Sequence, residues 1–245
     1  TLIDDIPVFN SVEEAVRETG ANASILFVPA LGTLSGITEA ISAGIKLVVT
    51  IAEGVPVKDM RMIYHLNRIM PDLTVIGPNT FGLISPGECK VGFMDGRIYT
   101  RGPVGLMSRS ATNSYETVNE MTKQGIGQST CIGVGGDIIP GSSFAKLLPL
   151  FEKDDETKAV VMIGEIGGCD EEMAAEYIKN QMSKPVVAYI AGRNAPKGKV
   201  MGHAGAIVGM DGVGSAQSKI KALTEAGVHI AESPGEIVEI IKGLV

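Results

Sequence analysis

Eight apolar runs of strand length recur along the chain, at 23–30, 46–54, 73–82, 104–110, 128–137, 158–168, 185–192 and 227–233. They are apolar nearly throughout instead of alternating, which predicts strands buried on both faces in a parallel sheet. Helix signals fill the gaps. Ser11 with Glu14, and Ser233 with Pro234 and Glu236, have capping-box spacing, in which a serine oxygen and a carboxylate each take a free backbone N–H. Asp170, Glu171 and Glu172 crowd a helix start, where the dipole favours anions, and Met173, Tyr177, Ile178 and Met182 then supply an apolar face. Gly44, Gly125 and Gly227 stand where helices should stop in a left-handed cap.

Strands alternating with helices predict a doubly wound α/β architecture. The least regular stretch, 85–103, marks the expected division into a first domain of 1–98 and a second of 99–245. In such sheets ligands bind at the carboxyl ends of the strands. The informative residues should therefore lie at 29–36, 51–56, 77–82, 108–113, 133–142, 164–170 and 191–205.

Composition narrows the classes. A chain of 245 residues with 44% hydrophobic and 20% charged residues, at mean hydropathy +0.22, can bury a real core, so disorder is excluded as its main state. A net charge of −7 without a basic cluster argues against a nucleic-acid partner. Cys89, Cys131 and Cys169 are too far apart for a zinc pair or a redox motif, so no metal site is expected and a reducing compartment fits best, the cytoplasm or the mitochondrial matrix. No run approaches the roughly 20 apolar residues that span a bilayer, and no membrane partner is expected.

Three constellations carry candidate chemistry. In VGLMSRSATNSYETVNEM (104–121) a strand feeds a helix whose first turn offers free backbone N–H groups beside the Ser110 hydroxyl, an anion site by construction. Spacing alone favours the plainer role of Ser110 as a cap. In KGKVMGHAGAIVGMDGVGS (197–215), His203 stands among glycines that let a phosphate or another backbone approach the imidazole, a group able to act as base or nucleophile near neutrality. A loop histidine without a task is the competing reading. In GEIGGCDEE (164–172), Glu165 ends an apolar strand, where a buried carboxylate is costly without a partner. A histidine would serve as that partner, and backbone N–H groups would serve equally. The chain contains neither a Walker loop nor G-x-G-x-x-G after a strand.

The segments SRSATNSYE (108–116), GVGGDIIPGSSF (133–144), MIGEIGG (162–168), APKGKVMGHAGAIV (195–208) and EAGVHIAESPGEI (225–237), taken in order, resemble the α subunits of succinyl-CoA synthetase and related nucleoside-diphosphate-forming acyl-CoA synthetases. PVFNSVEEAV (7–16), IKLVVTIAEGVP (45–56) and IGPNTFGLISPGECKVG (76–92) extend the likeness over essentially the entire chain.

The resemblance implies a CoA-binding Rossmann-like domain followed by a flavodoxin-like domain, and a tricarboxylic-acid-cycle ligase acting through phosphohistidine at His203. Glu165 would orient the imidazole, while Ser110, Ala111 and Thr112 at the helix start would hold the phosphoryl group. Tyr115 matches a position lining the organic-acid site. Ile51, Ala52 and Glu53 match a strand end that contacts CoA, with Pro29 and Thr80 nearby. ATP or GTP with Mg²⁺ would be bound by a partner β subunit in a heterodimer or heterotetramer, and the substrates would be CoA and a dicarboxylate.

Departures from the family pattern bear on substrate. Ala111 and Asn113 stand where the family reads SRSGTLTYE, and Thr80 and Phe81 where it reads GPNCPG. The family's first strand, Gly-rich phosphate loop and helix have no counterpart here, so the first domain is expected to lack its opening β-α-β unit. Related readings are a malate-CoA, citryl-CoA or citrate-cleaving subunit, and a non-catalytic CoA- and phosphate-binding relative. The intact His203, Glu165 and Ser110 favour the enzyme.

Overall fold

The computed structural model describes residues 2–245. A small hairpin, β1 (Leu2–Ile3) and β2 (Ile6–Pro7), comes first and is followed by α1 (Val12–Thr19), β3 (Ala23–Leu26), α2 (Thr33–Ser42), β4 (Leu47–Thr50), α3 (Val57–Ile69) and β5 (Thr74–Ile76). Ser11 caps α1 by accepting the Glu14 N–H at 3.2 Å, and Gly20 ends it at φ 71°. Strands β3, β4 and β5 form a three-stranded parallel sheet in that order. Ile37, Ala40, Val48, Met60, Ile63 and Val75 are its buried core.

The second unit runs through β6 (Gly82–Ser85), β7 (Cys89–Gly92), β8 (Arg101–Ser108), α4 (Ala111–Lys123), β9 (Gln128–Gly133), α5 (Phe144–Lys153), β10 (Ala159–Glu165), α6 (Asp170–Gln181), β11 (Val186–Ala191), α7 (Ala216–Glu225), β12 (His229–Ala231) and α8 (Pro234–Lys242). Its seven strands are ordered β12-β11-β10-β8-β9-β6-β7. The five strands β8 to β12 are parallel to one another, in the flavodoxin order 2-1-3-4-5. Helices α5, α6 and α7 cover one face, over Phe144, Leu147 and Met162, and α4 and α8 the other, over Val118, Met121 and Val161. All eight expected strands are present, and Gly44, Gly125 and Gly227 are left-handed at φ 89°, 78° and 81°.

The sheet is not wholly parallel. Residues 82–92 fold into an antiparallel hairpin through Ser85-Pro86-Gly87-Glu88, with Gly87 at φ 84°, and β6 pairs antiparallel with β9. Only four residues per strand and frequent glycine hide this hairpin from a periodicity reading. Sheet membership thus separates the units between Ile76 and Gly82, ahead of the irregular stretch at 85–103. Of the apolar helix face expected from Met173, Tyr177, Ile178 and Met182, the last three pack on the core while Met173 is exposed, and Glu171, Ala174 and Ala175 are buried beside them.

The units are joined by polar contacts near α3. Lys146 Nζ donates to the carbonyls of Asn67 (3.0 Å) and Leu73 (2.7 Å), and burial lowers its pKa. The Gly141 N–H bonds the Gly77 carbonyl at 2.7 Å. No helix among the described residues is long and apolar enough to cross a membrane.

Candidate functional site

In the order 2-1-3-4-5 the topological switch point lies between β8 and β10, where successive crossovers leave to opposite faces and open a crevice. The sequence places Ser108-Arg109-Ser110 at the end of β8 and Glu165 at the end of β10, so both flank that crevice. The Arg109 N–H bonds the Ile163 carbonyl at 3.0 Å, extending the ladder by one residue.

Glu165 is buried, and its two oxygens have different partners. Oε2 lies 2.7 Å from His203 Nδ1, and Oε1 accepts from Arg109 Nε at 3.1 Å. Because a carboxylate only accepts, Nδ1 carries the proton and Nε2 keeps the nucleophilic lone pair. The hydrogen bond to Glu165 raises the His203 pKa, against desolvation, which lowers it. His203 is carried by a loop held to the rest of the site by the Gly205 N–H, which bonds the Gly136 carbonyl at 3.1 Å. Gly136 has to be glycine, since a Cβ there would lie 2.4 Å from the His203 ring.

Ser110 is the N-cap of α4: its Oγ accepts the Asn113 N–H at 3.3 Å. The plain reading of the hydroxyl therefore describes its contact. The N–H groups of Ala111 and Thr112, in the first turn of α4, have no intrahelical acceptor and carry the positive end of the dipole.

A cavity of about 110 Å³ is lined by His203, Ala111, Ile51, Thr80, Asn79, Phe81, Phe93, Arg109 and Gly135. It joins the imidazole, the start of α4 and the end of β4. Of the other expected residues, Ala52 and Glu53 follow Ile51 on the loop after β4, and Tyr115 packs on the lining residue Phe81 with ring centroids 5.6 Å apart, all three outside the cavity lining. Pro29 is beyond the end of β3, outside the cavity lining. Thr80 lines the cavity, but its hydroxyl donates to the Gly133 carbonyl at 2.5 Å and accepts the Gly82 N–H at 3.0 Å. Its polar atom is committed to the backbone, and its methyl group is what remains for a ligand.

Arg109 and Asp137 lie within the expected strand-end ranges 108–113 and 133–142, but the sequence alone assigns neither of them a role. Arg109 Nη2 donates to the Asp137 carbonyl at 2.9 Å, and Asp137 Oδ2 accepts the Gly54 N–H at 3.1 Å. Burial raises the Asp137 pKa. An arginine at the end of an apolar strand was the available signal, since a buried guanidinium requires partners. Behind the site, Glu171 Oε1 accepts the Glu165 N–H at 3.0 Å, and its other oxygen pairs with buried Lys219.

Comparison with known proteins converges on one family. Residues 107–229 match the CoA-ligase family model and residues 1–54 the CoA-binding domain model. The chain is 52% identical to the succinate–CoA ligase [ADP-forming] subunit alpha of Aquifex aeolicus, covering 98% of this chain and 78% of the relative. It is 52% identical to subunit alpha 2 of that ligase from Archaeoglobus fulgidus, covering 98% and 83%. Among solved structures, ATP citrate lyase from Methanothrix soehngenii, in complex with citrate and coenzyme A, superposes with TM-score 0.89 at 28% identity, over 98% of this chain and 42% of that one.

Proposed function

This chain belongs to the family of succinate–CoA ligase α subunits, and from that premise we propose how its site works. It interconverts succinyl-CoA, phosphate and nucleoside diphosphate with succinate, CoA and nucleoside triphosphate. The observation that carries this reading is the single cavity lined by His203, Ala111 and Ile51, with Glu165 behind the imidazole.

Phosphate attacks the thioester carbonyl of succinyl-CoA, releasing CoA thiol and leaving succinyl phosphate. His203 Nε2 then attacks the phosphorus, an N–P bond forms, and the bond to the acyl oxygen breaks to free succinate. The proton on Nδ1 stays in its hydrogen bond to Glu165, which stabilises the positive charge of the phosphorylated ring. Ala111 and Thr112 meet the transferring oxygens with backbone N–H groups, positioning and electrostatics being most of what phosphoryl transfer requires. Ile51, Ala52 and Glu53 border the path of CoA, with Pro29 on the same rim.

The phosphoryl group leaves His203 for a nucleoside diphosphate. We assign the nucleotide and its Mg²⁺ to a partner β subunit, which the subunit alpha names of the relatives imply. The identity of the closely similar relatives favours ADP over GDP and succinate over citrate. The test titrates succinate, malate and citrate in the CoA-dependent reaction of the chain with its partner. Turnover best with succinate is expected. Preference for citrate would move the chain to the citrate-cleaving branch, and turnover by the isolated chain would overturn the assignment of the nucleotide to a partner.

A further inference from the structure

The Arg109 guanidinium is buried among three elements that all belong to the site. Its own backbone is tied to β10 through the Ile163 carbonyl. Its Nε donates to Glu165 Oε1 at 3.1 Å, its Nη2 to the Asp137 carbonyl at 2.9 Å, and its Nη1 stands 4.0 Å from Asp170 Oδ2. The His203 loop passes directly over it, since a Cβ on Gly205 would lie 3.0 Å from Nη2. Asp137 in turn holds the loop after β4 through the Gly54 N–H. A continuous polar path therefore runs from the loop expected to contact CoA, through Asp137, Arg109 and Glu165, to His203.

We propose that Arg109 is a positioning residue for phosphoryl transfer: by holding Glu165 Oε1 from a fixed anchor on Asp137, it aims Oε2 at His203 Nδ1 and so sets the direction of Nε2. A planar fork can bridge two oxygens at fixed angles, and an ammonium cannot do so with the same geometry. Arg109 also offsets part of the Glu165 charge that would otherwise act on the imidazole alone. An unshared carboxylate would hold a proton on the imidazole more firmly and take Nε2 out of its neutral form. The charged groups influencing His203 are Glu165, Arg109 and Glu53, and Glu165 and Arg109 pull in opposite directions.

This inference rests on His203 as the phosphoryl acceptor, and its test has two separable arms. In the first, the imidazole of His203 is titrated by NMR in the full chain with ¹⁵N-labelled histidine, its signals being those missing from His203→Asn. This arm needs neither partner nor nucleotide. Arg109→Gln should move the titration to higher pH, Glu165→Gln to lower pH, and Arg109→Lys should leave it near the wild-type position. In the second arm, His203 phosphorylation is timed in the complex with the partner subunit. Arg109→Gln and Arg109→Lys should both lose roughly 10²-fold, the cost of a misaimed nucleophile. A slowed Arg109→Gln with an unmoved titration would reduce Arg109 to a structural residue and overturn the proposal, as would a fully active Arg109→Lys. Should Arg109→Gln fail to fold, Arg109→Lys decides. A wild-type chain that takes no label while the NMR shifts hold would instead refute the phosphohistidine reading and leave the geometric role of Arg109 standing.

Discussion

Lys219 and Glu171 form an ion pair with both side chains closed to solvent, and the second Glu171 oxygen accepts the Glu165 N–H at 3.0 Å. The pair joins α7 to α6 and, through that hydrogen bond, fixes the end of β10 on which the site is built. Glu172 Oε2, 3.5 Å from the ammonium, completes its surroundings.

Removing one member leaves the other charge buried and unpaired. Lys219→Met should therefore lower unfolding free energy by about 3–5 kcal/mol. Adding Glu171→Gln, which removes the second charge and can still accept the Glu165 N–H, should recover most of that loss. Urea unfolding of the single and double variants measures both, and a loss below about 1 kcal/mol for Lys219→Met would show that the pair is not the brace described.

Much of this fold is legible from local pattern. Apolar runs mark the strands, Ser11, Ser110 and Ser233 mark the helix starts, and His203 and Glu165 stand out as polar residues at strand and loop ends. The unread parts depend on partners distant in sequence. Glu171 resembles its acidic neighbours at a helix start, and only Lys219, 48 residues later, makes it a core residue. Arg109 acquires its role from Glu165 and Asp137, 56 and 28 residues on, which periodicity cannot register.

Asp170 links stability to pH. Its carboxyl is pushed up to about 6 by burial and by the neighbouring charge of Glu171, against the Phe144 N–H, which bonds Oδ2 at 3.1 Å. A carboxyl raised in the folded state contributes its stability below the unfolded value near 4 and loses it as pH rises through about 6. Asp170→Asn removes that loss. The variant should gain about 3 kcal/mol relative to wild type between pH 3.5 and pH 8, read from denaturant midpoints across the range. A difference independent of pH would contradict the assignment.

Glu165→Gln separates orientation from charge. The amide can still meet the ring, but it no longer favours imidazolium, so the His203 pKa falls from its raised position. Phosphorylation should slow by about 10²-fold or more, while its acid limb moves to lower pH because neutral Nε2 persists further into acid. Rate against pH checks both, and an unchanged rate would leave Glu165 as a structural carboxylate.

The central claim is that His203 receives the phosphoryl group. The chain and its partner subunit, incubated with γ-labelled ATP and Mg²⁺, should acquire acid-labile, base-stable label that maps to His203, disappears in His203→Asn and is discharged by succinate with CoA. Label on another residue, or its absence from His203 with a competent partner present, would contradict the account.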